Sequence, residues 1–193
     1  MAGRKQFDPE AALDQAMRVF WQRGYADASL DALGSATGLG RGSLYGAFGN
    51  KDALFRKCLD RYSAIYGAAF ERALDGHSGD PVRAVRAFFD TVLARLADPA
   101  VPGGCLIAQS AAQAATLPAE NGERVRGLLD QQRRRVRAAL DGASAAPGAL
   151  DELAGYVVAV NQALAVLSRA GATDAELRSV ARLACDTVAG AVA

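Results

Sequence analysis

The sequence is poor in the residues that build metal and catalytic centres, with one histidine and three cysteines in 193 positions. Cys58, Cys105 and Cys185 are far apart, odd in number and in no C-x-x-C spacing, which argues against a disulfide framework or a zinc site and fits a reducing cytoplasm. His77 lies in the linker "DGHSGDP" and reads as an exposed turn residue. No nucleophile, base and orienting group come together, so no catalytic residue, metal or cofactor is expected. Long apolar runs are missing too: each is broken before about eighteen residues, the length a membrane crossing needs. The opening "MAGRKQF" lacks the apolar core of a signal peptide, and a soluble cytoplasmic protein is expected. Strong charge of either sign is also lacking. A net charge of +1 excludes bulk attraction to a polyanion, so any nucleic-acid contact must come from local placement. Residues 1–57 hold eight Lys/Arg against six Asp/Glu, the remainder fourteen against fifteen, a small bias toward a basic N-terminal module.

No sustained period-two run rich in Val, Ile and Thr occurs, whereas helical spacing recurs from end to end, so the chain reads as all-α. With 51% hydrophobic and 22% charged residues it has the composition of a folded protein. Asp8-Pro9 opens a first helix with an apolar face of Leu13, Met17, Phe20 and Trp21, which Gly24 should end. Ser29 caps a short second helix to Thr37, with Gly38 as its left-handed stop. A second short helix is predicted over 41–48. Asn50 then caps one long helix over 51–74, where Leu54, Cys58, Tyr62, Ile65, Tyr66, Ala69 and Ala73 keep a single face buried. Further helices are predicted over 81–97, 103–116, 119–141, 149–170 and 174–192.

The stretch "GLGRGSLYGAFGNK", residues 38–51, carries five glycines and two bases. A nucleotide cradle would need a strand before the glycines. The preceding "SLDALGSAT" is helical in pattern, and Gly40-x-Gly42-x-x-x-Gly46 misses G-x-G-x-x-G by one residue. The P-loop pattern fails as well, because Lys51 has neither the required earlier glycine nor a following Ser or Thr. Two short helices around a glycine turn, with a long helix on each side, are instead in helix-turn-helix order. In that reading Arg41, Ser43, Tyr45 and Gly46 lie on the part of a helix that enters a major groove. Leu39, Leu44 and Phe48 face inward, and Ser29 and Lys51 stand at helix N-termini that favour phosphate.

The segment "SLDALGSATGLGRGSLYGAFGNKDALF", with the helix before it, closely resembles the DNA-binding domain of TetR-family transcriptional regulators over about residues 8–58. The resemblance implies a three-helix helix-turn-helix head joined by a long helix to a helical ligand-binding and dimerisation domain, divided here as 1–57 and 58–193. It also implies a homodimer on a palindromic double-stranded operator, usually a repressor released by a small-molecule effector. DNA contacts carry over to Ser29, Arg41, Ser43, Tyr45 and Lys51. Many members have an aromatic or histidine and then tyrosine after "LY"; here Gly46-Ala47 stand there, so a large base-reading side chain is missing at 46. The alternative is a ligand-carrying or architectural dimer with a degenerate head.

The C-terminal half is less specific. A ligand cavity is expected among helices 81–97, 103–116, 119–141 and 149–170, with Phe88, Phe89, Leu96, Cys105, Ile107, Gln109, Tyr156 and Asn161 as candidates against ordinary core packing. "PGGCLIAQSA" resembles a segment of one branch of the family. Cys105 at a helix start reads either as a small core residue or as a thiolate open to oxidants and electrophiles. "QQRRRVR", 131–137, reads as a solvated helix face. The last two helices are rich in Ala, Val, Leu and Gly, with a side poor in charge that needs a partner; two copies would form a four-helix dimer bundle.

Overall fold

A computed structural model describes residues 7–192; Arg4, Lys5 and the rest of the first six positions of the expected head lie outside the described residues. Among these the fold is helical, with no strand. The order is α1 Pro9–Asp27, α2 Leu30–Thr37, α3 Arg41–Phe48, α4 Lys51–Tyr62, a π-helical turn Ser63–Gly67, α5 Ala68–Asp75 and α6 Pro81–Ala97. It continues with α7 Leu106–Ala112, a 3-10 turn Ala114–Thr116, α8 Ala119–Ala139, α9 Pro147–Arg169 and α10 Asp174–Val192.

The start signals act as the sequence predicts. Asp8 accepts from Glu10 N (2.9 Å) and Ala11 N (3.3 Å), Ser29 Oγ from Ala32 N (3.1 Å), and Asn50 Oδ1 from Ala53 N (2.9 Å). Gly38 ends α2 at φ 68°, the left-handed conformation that lets the chain turn at once into α3.

Three elements differ from expectation, two of them at a long-range contact. Gly24 does not end α1 but kinks it, at φ 79° and ψ 175°, and the helix resumes to Asp27. A Cβ at Gly24 would lie 2.7 Å from the Gln113 carboxamide, whose Oε1 accepts from Tyr25 N (3.3 Å). The predicted helix 51–74 is continuous but carries the π-helical turn. The predicted helix 103–116 shrinks to α7, because the backbone stays non-helical through Cys105, where the Gly104 carbonyl is held by Arg95 Nη1 at 2.5 Å.

Two cores result. One joins α1–α4 to α7 and part of α8 around the fully buried Phe20, Trp21, Phe55 and Tyr62. Its rings pack edge to face, Phe20 on Phe55 at 5.0 Å and Trp21 on Tyr62 at 4.9 Å. The other joins α5, α6, α8, α9 and α10 around Phe88, Phe89, Val92 and small aliphatic residues. α9 is apolar enough by length and composition to cross a membrane, but Leu150, Leu153, Ala154, Val157, Leu164 and Ala165 bury one face of it inside the fold.

Candidate nucleic-acid interface

The geometry of α3 follows from two anchors. On α3, Leu44 and Phe48 are four residues apart, share a face and are buried against the head core. That phase turns Arg41, Gly42, Ser43, Tyr45, Gly46 and Ala47 outward, all exposed. Tyr45 keeps 36% of its surface exposed, although its ring is of a size normally buried. A Cβ placed on Gly42 or Gly46 would meet nothing within 4 Å, so nothing in the protein's own packing requires glycine at either position.

The flanking residues are arranged less simply. Ser29 uses its hydroxyl to cap α2. Lys51, the first residue of α4, donates from Nζ to Ala26 O (3.3 Å) and lies 4.6 Å from the centre of the Tyr25 ring. Burial holds its ammonium below the usual lysine range, opposed by Asp52 and Asp27. Tyr25 in turn donates a hydrogen bond to Asp52, and burial together with that carboxylate pushes its phenol up to about 12. Lys51, Tyr25 and Asp52 thus lock the end of α1 to the start of α4. Tyr25 and Asp52 are 27 residues apart, and no local pattern links them.

Head and body are joined by a second polar set. Arg169, the last residue of α9, donates to Trp21 O (3.0 Å), Gln22 O (2.5 Å) and Gln109 Oε1 (2.8 Å), bridging 147 residues of sequence. Arg95 is buried near the Trp21 and Tyr66 rings, with its charge facing the Gly104 carbonyl. Arg56 binds both Asn121 (2.9 Å) and Glu120 (2.9 Å), and Arg124 reaches Asp60 (2.6 Å).

The expected ligand residues are only partly brought together. Phe88, Cys105, Ile107 and Asn161 line one pocket with Tyr62 and the π-helical turn. Gln109 lies in a separate groove between α7 and α9, and Phe89 faces a groove between α6 and α10. Leu96 is half-buried against the second core, and Tyr156 projects from the outer side of α9. Neighbouring helical residues point about 100° apart, which separates Phe88 from Phe89. Cys105 is buried as the N-cap residue of α7, and its sulfur accepts from the Tyr62 hydroxyl at 3.2 Å. In the basic run, Arg135 pairs with Glu71, and Arg137 with Asp141 and Asp151.

Two family profiles match the chain: "Bacterial regulatory proteins, tetR family" over residues 12–58, and "Tetracyclin repressor-like, C-terminal domain" over residues 81–184. The chain belongs to the TetR family. It is a DNA-binding transcriptional regulator of that fold, with a helix-turn-helix head and a helical C-terminal domain. Among curated relatives it is similar to the transcriptional repressor ComR of Escherichia coli, 39% identical over 53% of this chain and 49% of ComR. It is also similar to the regulator YezE of Bacillus subtilis, 34% identical over 58% of this chain and 57% of YezE. The matched stretch therefore spans about half the length of these relatives. Along nearly its whole length it resembles a cysteine mutant of the TetR-family regulator CifR in complex with 26-bp operator DNA. That likeness has a TM-score of 0.83 and 30% identity, covering 94% of this chain and 97% of CifR.

Proposed function

We propose that this regulator is a homodimeric, cytoplasmic repressor that sits on a palindromic operator through α3 and leaves it when a small molecule occupies the C-terminal domain. The head is assigned to residues 1–57 and the effector and dimerisation body to 58–193. The observation that carries the reading is the outer face of α3: Arg41, Ser43 and Tyr45 stand exposed beyond the buried anchors Leu44 and Phe48. Arg41 can fork onto guanine or a phosphate, Ser43 can bond either, and the Tyr45 ring can meet thymine methyls. Ser29 and Lys51 supply the phosphate contacts at either side, Lys51 by turning its ammonium from Ala26 O toward the duplex.

Dimerisation is supported by the outer sides of α9 and α10, where Val166 (56%), Leu183 (55%), Leu167 and Tyr156 are large apolar residues left exposed. A two-fold axis there would present the two α3 helices to half-sites about 34–36 Å apart, one turn of DNA. No metal or cofactor enters this reading, and no step of it calls for catalysis or a membrane.

Selection of bound sequences from random DNA, followed by footprinting, tests it. The expected product is a two-fold symmetric site protected over two successive major grooves. Equal, weak binding by the wild type and a Tyr45→Ala/Lys51→Ala variant at moderate salt would leave the degenerate-head alternative standing.

A further inference from the structure

The kink at Gly24 interrupts the hydrogen bonds of α1 near its end, and residues of the body replace them. In an uninterrupted helix Trp21 O would accept from Tyr25 N, and Gln22 O from Ala26 N. Here Tyr25 N donates to Gln113 Oε1 (3.3 Å), while Arg169 donates to Trp21 O (3.0 Å) and Gln22 O (2.5 Å). Gln113 is the C-cap residue of α7, and Arg169 is the last residue of α9. Glycine is required as well: at φ 79° any other side chain is strained, and a Cβ would push the Gln113 carboxamide away from 2.7 Å.

Beyond the kink the same segment holds Lys51. Ala26 O accepts from Lys51 Nζ (3.3 Å), and the Tyr25 ring, whose hydroxyl is bonded to Asp52, lies 4.6 Å from that ammonium. Residues 21–26 are thus gripped by the body at one end and grip Lys51 at the other. With Gln113 withdrawn, Tyr25 N keeps a partner only if the turn through residue 24 becomes regular helix again. Gly24 at a helical φ of about −63° would send Tyr25 and Ala26 in another direction, away from the Lys51 side chain.

We propose that Gln113 is a positioning residue for DNA binding: by holding the Gly24 kink it keeps Lys51 aimed at a phosphate of the operator. The phosphate takes the ammonium over from Ala26 O, and the Tyr25 ring keeps the stem in place. A side chain already ordered loses less freedom on binding than a loose one, so the aim is read as affinity. The inference rests on the reading of Lys51 as a phosphate contact, and it ties that contact to the end of α7.

The test uses the full chain and the operator recovered by selection, with affinity measured over a range of salt. Lys51→Ala should lower the salt slope by about one unit per half-site, the mark of one lost phosphate contact. Gln113→Leu should weaken binding about fivefold or more and lower the slope by the same amount. Placed in the Lys51→Ala background it should change nothing further. Gln113→Glu keeps an acceptor for Tyr25 N and should retain the wild-type affinity and slope. Gly24→Ala, which excludes the kink from the head side, should reproduce Gln113→Leu and decides the matter if that variant does not fold. A Gln113 that only fastens the head to the body would give weaker binding at the wild-type slope, or losses that add to those of Lys51→Ala; either result overturns the proposal. Wild-type binding by both Gln113→Leu and Gly24→Ala would overturn it too. An unchanged slope in Lys51→Ala alone would defeat the phosphate contact itself, and the positioning role with it.

Discussion

The head and the body are built from different materials. The head packs large rings against one another, with Phe20, Trp21 and Phe55 fully buried and Tyr62 of the body set edge-on against Trp21, whose indole N–H has no partner. The body packs Ala, Val and Leu from long helices around three phenylalanines, and between those helices it keeps a small cavity where Asn161 Oδ1 and Gln162 Oε1 have no partner. Interlocking rings give a single well-determined arrangement, as a reader of fixed groove geometry requires. Smooth aliphatic helix faces leave room to repack around an occupant.

The largest effect that sharpens this contrast is on stability. Phe55→Ala should cost about 3–5 kcal/mol, because the interlocked rings around it cannot collapse into the gap. Phe88→Ala should cost less, since one side of that ring already borders the cavity. Denaturant midpoints of the two variants measure the difference, and equal losses would erase the contrast. Next comes DNA affinity. Arg41→Ala and Tyr45→Ala should each weaken operator binding by about 1–3 kcal/mol with little change in melting temperature, since both side chains stand on the outer face of α3. Titration of a labelled operator at fixed salt reads this directly.

A smaller effect lies at the seam. Arg169→Ala removes the donors to Trp21 O and Gln22 O at the last helical turn before the Gly24 kink. It should cost about 1 kcal/mol and speed amide exchange over residues 24–27, with little change in the core of α6. The junction of α1 and α4 should also respond to pH. The Tyr25 phenol is raised to about 12 from an ordinary value of 10.0, so its protonated form is favoured by folding. Its contribution is complete below pH 10 and is lost as the pH rises toward 12, and Tyr25→Phe should flatten that part of the profile. Lys51 shifts the other way, since burial favours its neutral form, which is why the single substitution and not the wild-type curve isolates the phenol.

Much of this design is legible in the sequence, because most of its signals are local. The caps Asp8, Ser29 and Asn50, the turn at Gly38 and the bounds 41–48 and 81–97 depend on neighbours within a few residues, and the structure agrees with each. Contacts across long stretches of chain leave no such trace. The kink at Gly24 depends on Gln113, the shortened α7 on Arg95, and the Arg169 seam on residues 147 positions away. The cavity is intermediate. Phe88, Cys105, Ile107 and Asn161 follow from apolar or unusual positions on core helices, whereas Gln131 and Gln132 read from sequence as part of a solvated helix face. Helical phase alone could not show that one of their faces closes on a void.

The smallest expected effect bears on Gly46, the residue at which the proposed DNA-reading helix lacks a large side chain. Glycine within a helix costs about 0.5–1 kcal/mol relative to alanine, through backbone freedom in the unfolded chain. Gly46 lies inside α3, and a Cβ there meets nothing within 4 Å, so Gly46→Ala should raise stability by about that amount without disturbing Leu44 or Phe48. Whether the methyl is free on DNA is a separate question with a separate readout. If the bare backbone at Gly46 lets α3 sit deep in the groove, the alanine variant will be more stable and yet bind the operator more weakly. If it binds equally well, the position has no reading role, and selectivity falls to Arg41, Ser43 and Tyr45. Melting temperature and operator affinity, measured on the same two proteins, separate the two cases.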